Sequence, residues 1–195
     1  MNSIQNYELN IIFNQDTPAD LCEKQINSFL EEIGAVDIDI QRQAVQKLAY
    51  PIKKHSNGLY YLINFKLDLE NVREINTATI KFNRSDSILR YLVLNQTDFL
   101  IQKSKENLNT QVEFASHREL NKGAGLKKKC FTKYMGIRAI DYKDVDYLNQ
   151  FTSPYAKLFG KVKTGSSSKY QRKIAQALKR ARHMAYMPFT DKWMV

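Results

Sequence analysis

The chain has 195 residues, 43% of them hydrophobic, and a formal net charge of +10. This hydrophobic share can supply a core, and the positive charge favours a polyanionic partner, either nucleic acid or an acidic membrane surface. Because no apolar run approaches the roughly 20 residues of a membrane-spanning helix, and the first residues lack signal-peptide features, we expect an unsecreted soluble protein.

The positive charge is concentrated towards the C-terminus. Residues 1–105 carry a formal charge of −1 and residues 106–195 carry +11. We therefore expect two units, a near-neutral one built to fold and a basic one built to bind. The boundaries that we predict are a domain at 1–100, a polar linker at 101–126 and a basic module at 127–195.

The N-terminal segment predicts a strand, a helix and a second strand. Residues 7–13 are rich in β-formers, Thr17 is placed to cap a helix, and Pro18 suits its first position. Gly34 predicts the end of the helix, and the apolar residues between 36 and 40 alternate with aspartates as in a half-buried strand. The predicted apolar positions of the helix are Leu21, Ile26, Phe29, Leu30 and Ile33.

A hairpin is predicted next. Residues 48–52 and 59–67 have strand character, Pro51 is expected to end the pairing, and Asn57-Gly58 suits a type I′ turn.

A second helix at 72–82 and a strand at 88–94 complete the order β-α-β-β-α-β, so the fold class is α+β with a ferredoxin-like domain. The basic module is expected to be small and mostly helical. Since this fold is found in enzymes, RNA binders and scaffolds, function has to be read from particular residues.

The basic module contains a helix that we predict from Lys169 to Met184. Between Lys157 and Arg182 the sequence has nine Lys or Arg and no Asp or Glu. The cations fall on one helical face and mostly alanine on the other, which favours nucleic acid over a solvated surface helix or a membrane-bound one. Ser166, Ser167 and Ser168 precede this helix, and we expect them to cap it and to meet a phosphate.

The N-terminal domain resembles bacterial small-subunit ribosomal protein six over about residues 4–100. The resemblance is carried by Leu48-Ala49-Tyr50-Pro51-Ile52-Lys53-Lys54 with Gly58 and Tyr60, and by Tyr7-Glu8-Leu9, Ile75-Asn76 and Leu89-Arg90-Tyr91-Leu92-Val93. Without the resemblance, Tyr50 and Tyr60 are equally well interpreted as sheet packing, and Lys53 and Lys54 as a solvated hairpin tip. An RNA-recognition motif is disfavoured because neither central strand contains an RNP-type sequence.

The C-terminal module resembles bacterial small-subunit ribosomal protein eighteen over about residues 127–192. The matching strings are Ala139-Ile140-Asp141-Tyr142-Lys143-Asp144, Thr164-Gly165, Lys169-Tyr170-Gln171-Arg172-Lys173, Lys179-Arg180-Ala181-Arg182 and Met187-Pro188-Phe189. Residues 156–162 depart from the family pattern, which leaves the contacts of that loop open.

Families six and eighteen imply a heterodimer on the central-domain, or platform, RNA of the small ribosomal subunit. The resemblance therefore implies a fusion that makes this pair intramolecular, a structural constituent with rRNA and neighbouring ribosomal proteins as partners, in a bacterial cytoplasm or an organelle. The expected rRNA-binding residues are Lys127, Lys128, Lys129, Arg138, Lys157, Lys161, Lys163, Lys169, Arg172, Lys173, Lys179, Arg180 and Arg182.

Neither catalysis nor a cofactor is expected. The histidines, His55, His117 and His183, have no Ser, Cys or acidic partner at motif spacing. Cys22 and Cys130 are far apart, and neither belongs to a zinc motif, so we expect ordinary thiols, no metal and a reducing compartment. Asp141, Asp144 and Asp146 are better interpreted as a strand end and a helix start than as metal ligands.

The alternative function is a non-ribosomal RNA-binding protein or translational regulator built from the same modules.

Overall fold

The computed structural model describes residues 4–96 and 140–190. They form two compact units, a sheet unit of residues 4–96 with 180–188 and a basic unit containing residues 140–179. The sheet unit contains β1 (Ile4–Asn14), α1 (Ala19–Glu32), β2 (Val36–Ile52), β3 (His55–Asp68), a 3₁₀ turn (Leu69–Asn71), α2 (Val72–Arg84) and β4 (Ile88–Asn95). Residues 140–190 contain α3 (Val145–Asn149), α4 (Lys161–Thr164) and α5 (Ser168–His183), of which α5 extends across the division between the units.

The sheet has four strands in the order β2-β3-β1-β4. Strand β1 pairs antiparallel with β3 from Ile4 opposite Asp68 to Asn14 opposite Gly58, and with β4 along its other edge. The ferredoxin-like β-α-β-β-α-β fold predicted for this domain is confirmed.

The first helix differs from the prediction at its start. It begins at Ala19 with Pro18 in the capping position and without a side-chain cap, so the prediction that Thr17 caps it is wrong. The amide of Thr17 instead bonds the carbonyl of Asn14, 3.1 Å away, in the turn that leaves β1. Leu21, predicted to be apolar core, is 44% exposed, whereas Gly34 ends the helix as predicted, with a φ of 65°.

The turn of the predicted hairpin lies elsewhere. Lys53 and Lys54, with φ values of 47° and 72°, form the two-residue turn, so the assignment of Asn57-Gly58 to the turn is wrong. Gly58 lies inside β3, where a Cβ atom would come within 2.6 Å of Ile12 Cγ2. The glycine therefore permits a close approach of neighbouring strands, not a positive φ.

Strand β2 also runs further than expected. It continues through Pro51, and Ile52 still pairs with His55, because the register is irregular between Lys47 and Ile52 and tolerates a residue without an amide hydrogen. The extended conformation predicted for residues 36–40 is right, but their half-burial is not, since Val36, Ile38 and Ile40 are exposed. The helix-side core draws no residue from β2, an edge strand of the described sheet.

One face of the sheet is covered by α1 and α2. Phe65 and Tyr7 stack there with ring centroids 5.7 Å apart, and Phe29 of α1 meets Phe82 of α2 at 4.7 Å. The buried cluster on this face is otherwise aliphatic and aromatic, and includes the thiol of Cys22, whose pKa is raised by burial. Apolar burial therefore stabilises this layer.

The basic unit is organised by short helices. Asp144 caps α3 by accepting a hydrogen bond from the amide of Tyr147 at 3.0 Å, Asp146 lies in its first turn, and Asp141 accepts from the amide of Lys143. The predicted helix start is confirmed for Asp144 and Asp146, whereas Asp141 precedes a turn, and the segment before it that would form the predicted strand lies outside the described residues. None of the helices among residues 4–96 and 140–190 combines the length and apolarity that crossing a membrane requires.

Candidate nucleic-acid interface

Helix α5 begins one residue earlier than predicted and ends one residue earlier. Ser167 precedes it and accepts a hydrogen bond from the amide of Tyr170 at 3.5 Å, so the predicted serine cap is confirmed at this position. Ser166, by contrast, is 1% exposed and is not available to a phosphate. Of the three serines, only Ser167 and Ser168 are therefore exposed enough to meet a phosphate beside the cations.

The apolar face of α5 is buried from Ile174 to Ala181. Ile174, Ala177, Leu178 and Ala181 are between 0% and 3% exposed. Small alanine side chains permit close packing of this face, and the helix is thereby fixed with its polar side towards solvent.

The predicted cations differ in their exposure. Lys157, Lys161, Lys163, Lys169, Arg172 and Lys179 are exposed, whereas Lys173, Arg180 and Arg182 are partly buried. The Nε atom of Arg182 is buried, and burial lowers the pKa of its guanidinium. The predictions for Lys127, Lys128, Lys129 and Arg138 lie outside the described residues.

The loop before α5 is held in place by hydrogen bonds. Gln171 donates from Nε2 to the carbonyl of Phe159 at 2.8 Å, and Lys161 donates from Nζ to Ser168 Oγ at 3.3 Å. The Lys163 ammonium lies 3.7 Å from the centroid of the Phe159 ring. Two lysines of the loop and the start of α5 are thus fixed relative to one another within the basic unit, which lowers the conformational entropy lost on binding a polyanion.

The second face of the sheet is covered by residues 180–188, which we call the docked segment. Tyr60 donates a hydrogen bond to the carbonyl of Met184 at 2.8 Å, and Tyr50 donates to the carbonyl of Arg182 at 2.8 Å. The amide of Ala49 donates to the carbonyl of Ala185 at 2.9 Å. Three carbonyls at the end of α5 and just beyond it therefore have partners from the sheet domain.

Tyr186 lies further along the docked segment. Its ring stacks on Tyr60 with centroids 5.0 Å apart, and its hydroxyl accepts a hydrogen bond from Asn10 Nδ2 at 3.2 Å. Burial raises the pKa of the Tyr60 phenol, and the nearby Tyr186 and Tyr50 hydroxyls raise it further. The phenol therefore stays protonated and keeps donating to the Met184 carbonyl.

The sequence interpretation missed this docking site, although β1 carries its signal. Glu8 and Asn10 alternate with apolar residues, as on a solvent-facing strand, yet Asn10 is 1% exposed and all residues from Tyr7 to Phe13 are buried. An antiparallel strand buried on both faces requires a second covering layer. The composition of β1 alone does not identify that layer.

Both parts of the chain match known protein families. Residues 6–95 match the family model of ribosomal protein S6, and residues 136–187 match that of ribosomal protein S18. The small ribosomal subunit protein bS18 of Porphyromonas gingivalis is 42% identical over 86 residues, which are 44% of this chain and 96% of that protein. The bS18 of Flavobacterium psychrophilum is 51% identical over 63 residues, 32% of this chain and 64% of that protein.

A crystal structure of 30S ribosomal protein S6 from Thermotoga maritima aligns with a TM-score of 0.44 at 24% identity. The alignment covers 53% of this chain and 97% of that one.

The matched families define the class as small-subunit ribosomal proteins. More particularly, the chain belongs to the ribosomal protein S18 family through its C-terminal part, and an S6-type domain is fused ahead of that part in the same chain. The predicted fusion is confirmed.

Proposed function

We propose that this chain binds the central-domain rRNA of the small subunit as an intramolecular equivalent of the S6–S18 heterodimer. The observation that carries the proposal is the docked segment. Residues 180–188 belong to the S18-type part, yet their carbonyls are bound by Tyr50, Tyr60 and the amide of Ala49 in the S6-type part. The two modules thus contact each other specifically within the sheet unit.

The tether strengthens this contact. Covalent linkage makes the association of the two modules intramolecular, which raises the effective concentration of one module for the other. The contact between the docked segment and the sheet is therefore expected to persist at protein concentrations at which two separate chains would dissociate. The stoichiometry of the two modules is also fixed at one to one.

The RNA-binding surface that we propose comprises the cations predicted from the sequence, with the exposed ones making most phosphate contacts. Lys161, Lys163, Lys169 and Arg172 are exposed in the fixed loop and the first turns of α5. No Asp or Glu lies between Lys157 and Arg182 to neutralise them locally. Affinity for RNA should therefore be mainly electrostatic and should fall with rising salt.

The salt dependence of binding tests this surface. In Arg172→Ala with Arg180→Ala, we expect the slope of log affinity for a central-domain rRNA fragment against log salt to become shallower by roughly 0.7 to 0.9 for each phosphate interaction that is removed. Arg73→Ala with Arg84→Ala is the matched control, because it removes the same charge from exposed positions on α2. Equal slopes for the two double variants would refute the placement on α5.

Co-sedimentation separates the ribosomal role from that of a translational regulator. A constituent of the subunit should remain with small subunits at one copy each through a high-salt gradient in the bacterial cytoplasmic fraction. A regulator held by weaker electrostatic contacts should wash away under the same conditions.

A further inference from the structure

A second cationic site lies in the sheet unit, and none of the residues that line it belongs to the set predicted to bind RNA. It is an open pocket of about 330 Å³ beside the first residues of β4. Lys53 of the β2–β3 turn, Arg90 of β4 and His183 at the end of α5 all line it, and its described lining contains no Asp or Glu. Three elements therefore bring basic side chains to one pocket without a counter-ion in that lining.

Two of these basic side chains are held by backbone carbonyls. Lys53 Nζ donates to the carbonyl of Ile88 at 3.1 Å, and His183 Nε2 lies 3.1 Å from the carbonyl of Tyr91. A carbonyl only accepts, so Nε2 carries the hydrogen in this contact. Lys53 keeps donor capacity, because a lysine ammonium has three N–H groups and uses one here, and His183 can donate to a further group only from Nδ1 when the ring is protonated.

Arg90 is positioned by an irregularity in the sheet. The register of β1 with β4 shifts between Ile12, opposite Arg90, and Phe13, opposite Ile88, so β4 carries an extra residue at this point. The guanidinium of Arg90 is close enough to the Tyr50 hydroxyl to lower the pKa of that phenol, against the larger effect of burial. Arg90 therefore lies near the Tyr50 hydroxyl, and its exposed side chain lines the pocket.

We propose that this pocket binds a phosphate group of an RNA strand, with Lys53 and Arg90 as its ionic ligands and His183 as a third contact. The inference rests on the proposed rRNA-binding function and adds a site contributed by both modules. The cations that line the pocket suit a backbone phosphate, and one of its aromatic rings, Tyr91, is already in contact with Phe82, with centroids 5.4 Å apart. His183 also follows Arg180 at helical spacing, so the two share one face of α5.

Phosphate-ethylation interference on a central-domain rRNA fragment tests the pocket directly, with the full chain as the protein. We expect Lys53→Gln with Arg90→Gln to weaken binding about tenfold and to make the salt slope shallower by roughly 0.7 to 0.9 for each phosphate interaction removed. With this double variant, ethylation of one or two phosphates that weakens binding of the wild-type protein should no longer do so. Ethylation of the phosphates contacted by the cations of α5 should still weaken binding.

The matched control is Lys47→Gln with Lys54→Gln. It removes two exposed cations from the same hairpin, and neither residue lines the pocket. Circular dichroism melting of both double variants reports whether the fold is retained. An interference pattern and a salt slope equal to those of the control would overturn the pocket proposal while leaving the α5 surface standing.

The two proposals fail differently. If Arg172→Ala with Arg180→Ala reduces binding and Lys53→Gln with Arg90→Gln does not, only the pocket is overturned.

A titration with inorganic phosphate at constant ionic strength distinguishes a pocket for the free ion from a pocket for a phosphate of RNA. Two results together would overturn the RNA proposal and assign the pocket to the free ion. Inorganic phosphate would shift the nuclear magnetic resonance signals of the His183 ring, and the affinity for RNA would be identical in the wild type and the pocket variant.

Discussion

The two faces of the same sheet are stabilised by different interactions. On the helix side, Phe65, Tyr7, Phe29 and Phe82 belong to a cluster that is almost entirely apolar. On the other side, the docked segment is attached through hydrogen bonds to backbone carbonyls. Burial of apolar area is non-directional, whereas a hydrogen bond to a particular carbonyl fixes position. The helix side therefore depends on apolar burial, whereas the docking side adds to its buried Met184 and Met187 hydrogen bonds that fix the position of the docked segment.

This difference follows from chain connectivity. The helix-side core is assembled entirely within residues 7–93, the S6-type part of the chain. The Tyr60 hydroxyl and the Met184 carbonyl are separated by 124 residues. A distant segment has to be distinguished from competing apolar segments, and specific polar partners provide that distinction.

The largest effect should come from the helix-side core. Phe65→Ala removes a side chain that is 1% exposed, and we expect it to lower the free energy of unfolding by about 3–5 kcal/mol in urea denaturation. Ile80→Ala, at an exposed position of α2, should change it by no more than about 0.5 kcal/mol. A loss from Phe65→Ala smaller than that from any docking-face variant would reverse the comparison between the faces.

An intermediate effect is expected where β3 approaches β1. Gly58→Ala places a methyl group against Ile12 Cγ2 and should cost about 1–3 kcal/mol through overpacking. Gly160→Ala is the matched control, since a Cβ atom added there would have no other atom within 4 Å. If both variants unfold at the same urea concentration, the close packing inferred at Gly58 is wrong.

The docking face is tested by two adjacent tyrosines. Tyr60→Phe leaves the Met184 carbonyl without its donor and should cost about 1–3 kcal/mol. Tyr61→Phe is the control, because the Tyr61 hydroxyl is buried with no hydrogen-bond partner among the described residues. Removing that hydroxyl should be neutral or stabilising. Equal decreases in unfolding free energy for the two variants would contradict the polar attachment of the docked segment.

The smallest effect should come from Lys54 in the hairpin turn, because its side chain is exposed. Lys54→Gly relieves a side chain with a φ of 72° and should raise the free energy of unfolding by roughly 0.5–1 kcal/mol. Lys54→Gln retains the strain and should change nothing measurable. A destabilised Lys54→Gly variant would show that the Lys54 side chain makes a contact that outweighs its strain.

The sequence predicted what depends on local spacing. The order of strands and helices, the end of α1 at Gly34 and the serine cap of α5 all follow from neighbouring residues, and the structure confirms them. The exposure of Leu21 and of Val36, Ile38 and Ile40 was not predictable in this way, because the helix-side core takes its strand residues from β1, β3 and β4 only.

The turn and the docking face were missed for related reasons. Asn-Gly is a strong local turn signal, but Gly58 is required for the close approach of β3 to Ile12, and the turn moves to two lysines with positive φ. Asn10 has the pattern of a solvent-facing residue until Tyr186, 176 residues later, is placed beside it. Both features depend on contacts between residues that are far apart in the sequence.

The long separation between Tyr60 and Met184 has a consequence for synthesis on the ribosome. The sheet strands and α1 and α2 emerge first, and domains generally fold as they emerge. The face with Asn10 and Tyr60 then stays open to other molecules until 124 further residues after Tyr60 have been translated. We therefore expect nascent chains in this interval to be a distinct, chaperone-accessible species, in which a free S18-type protein competes for the face that the chain's own segment later covers.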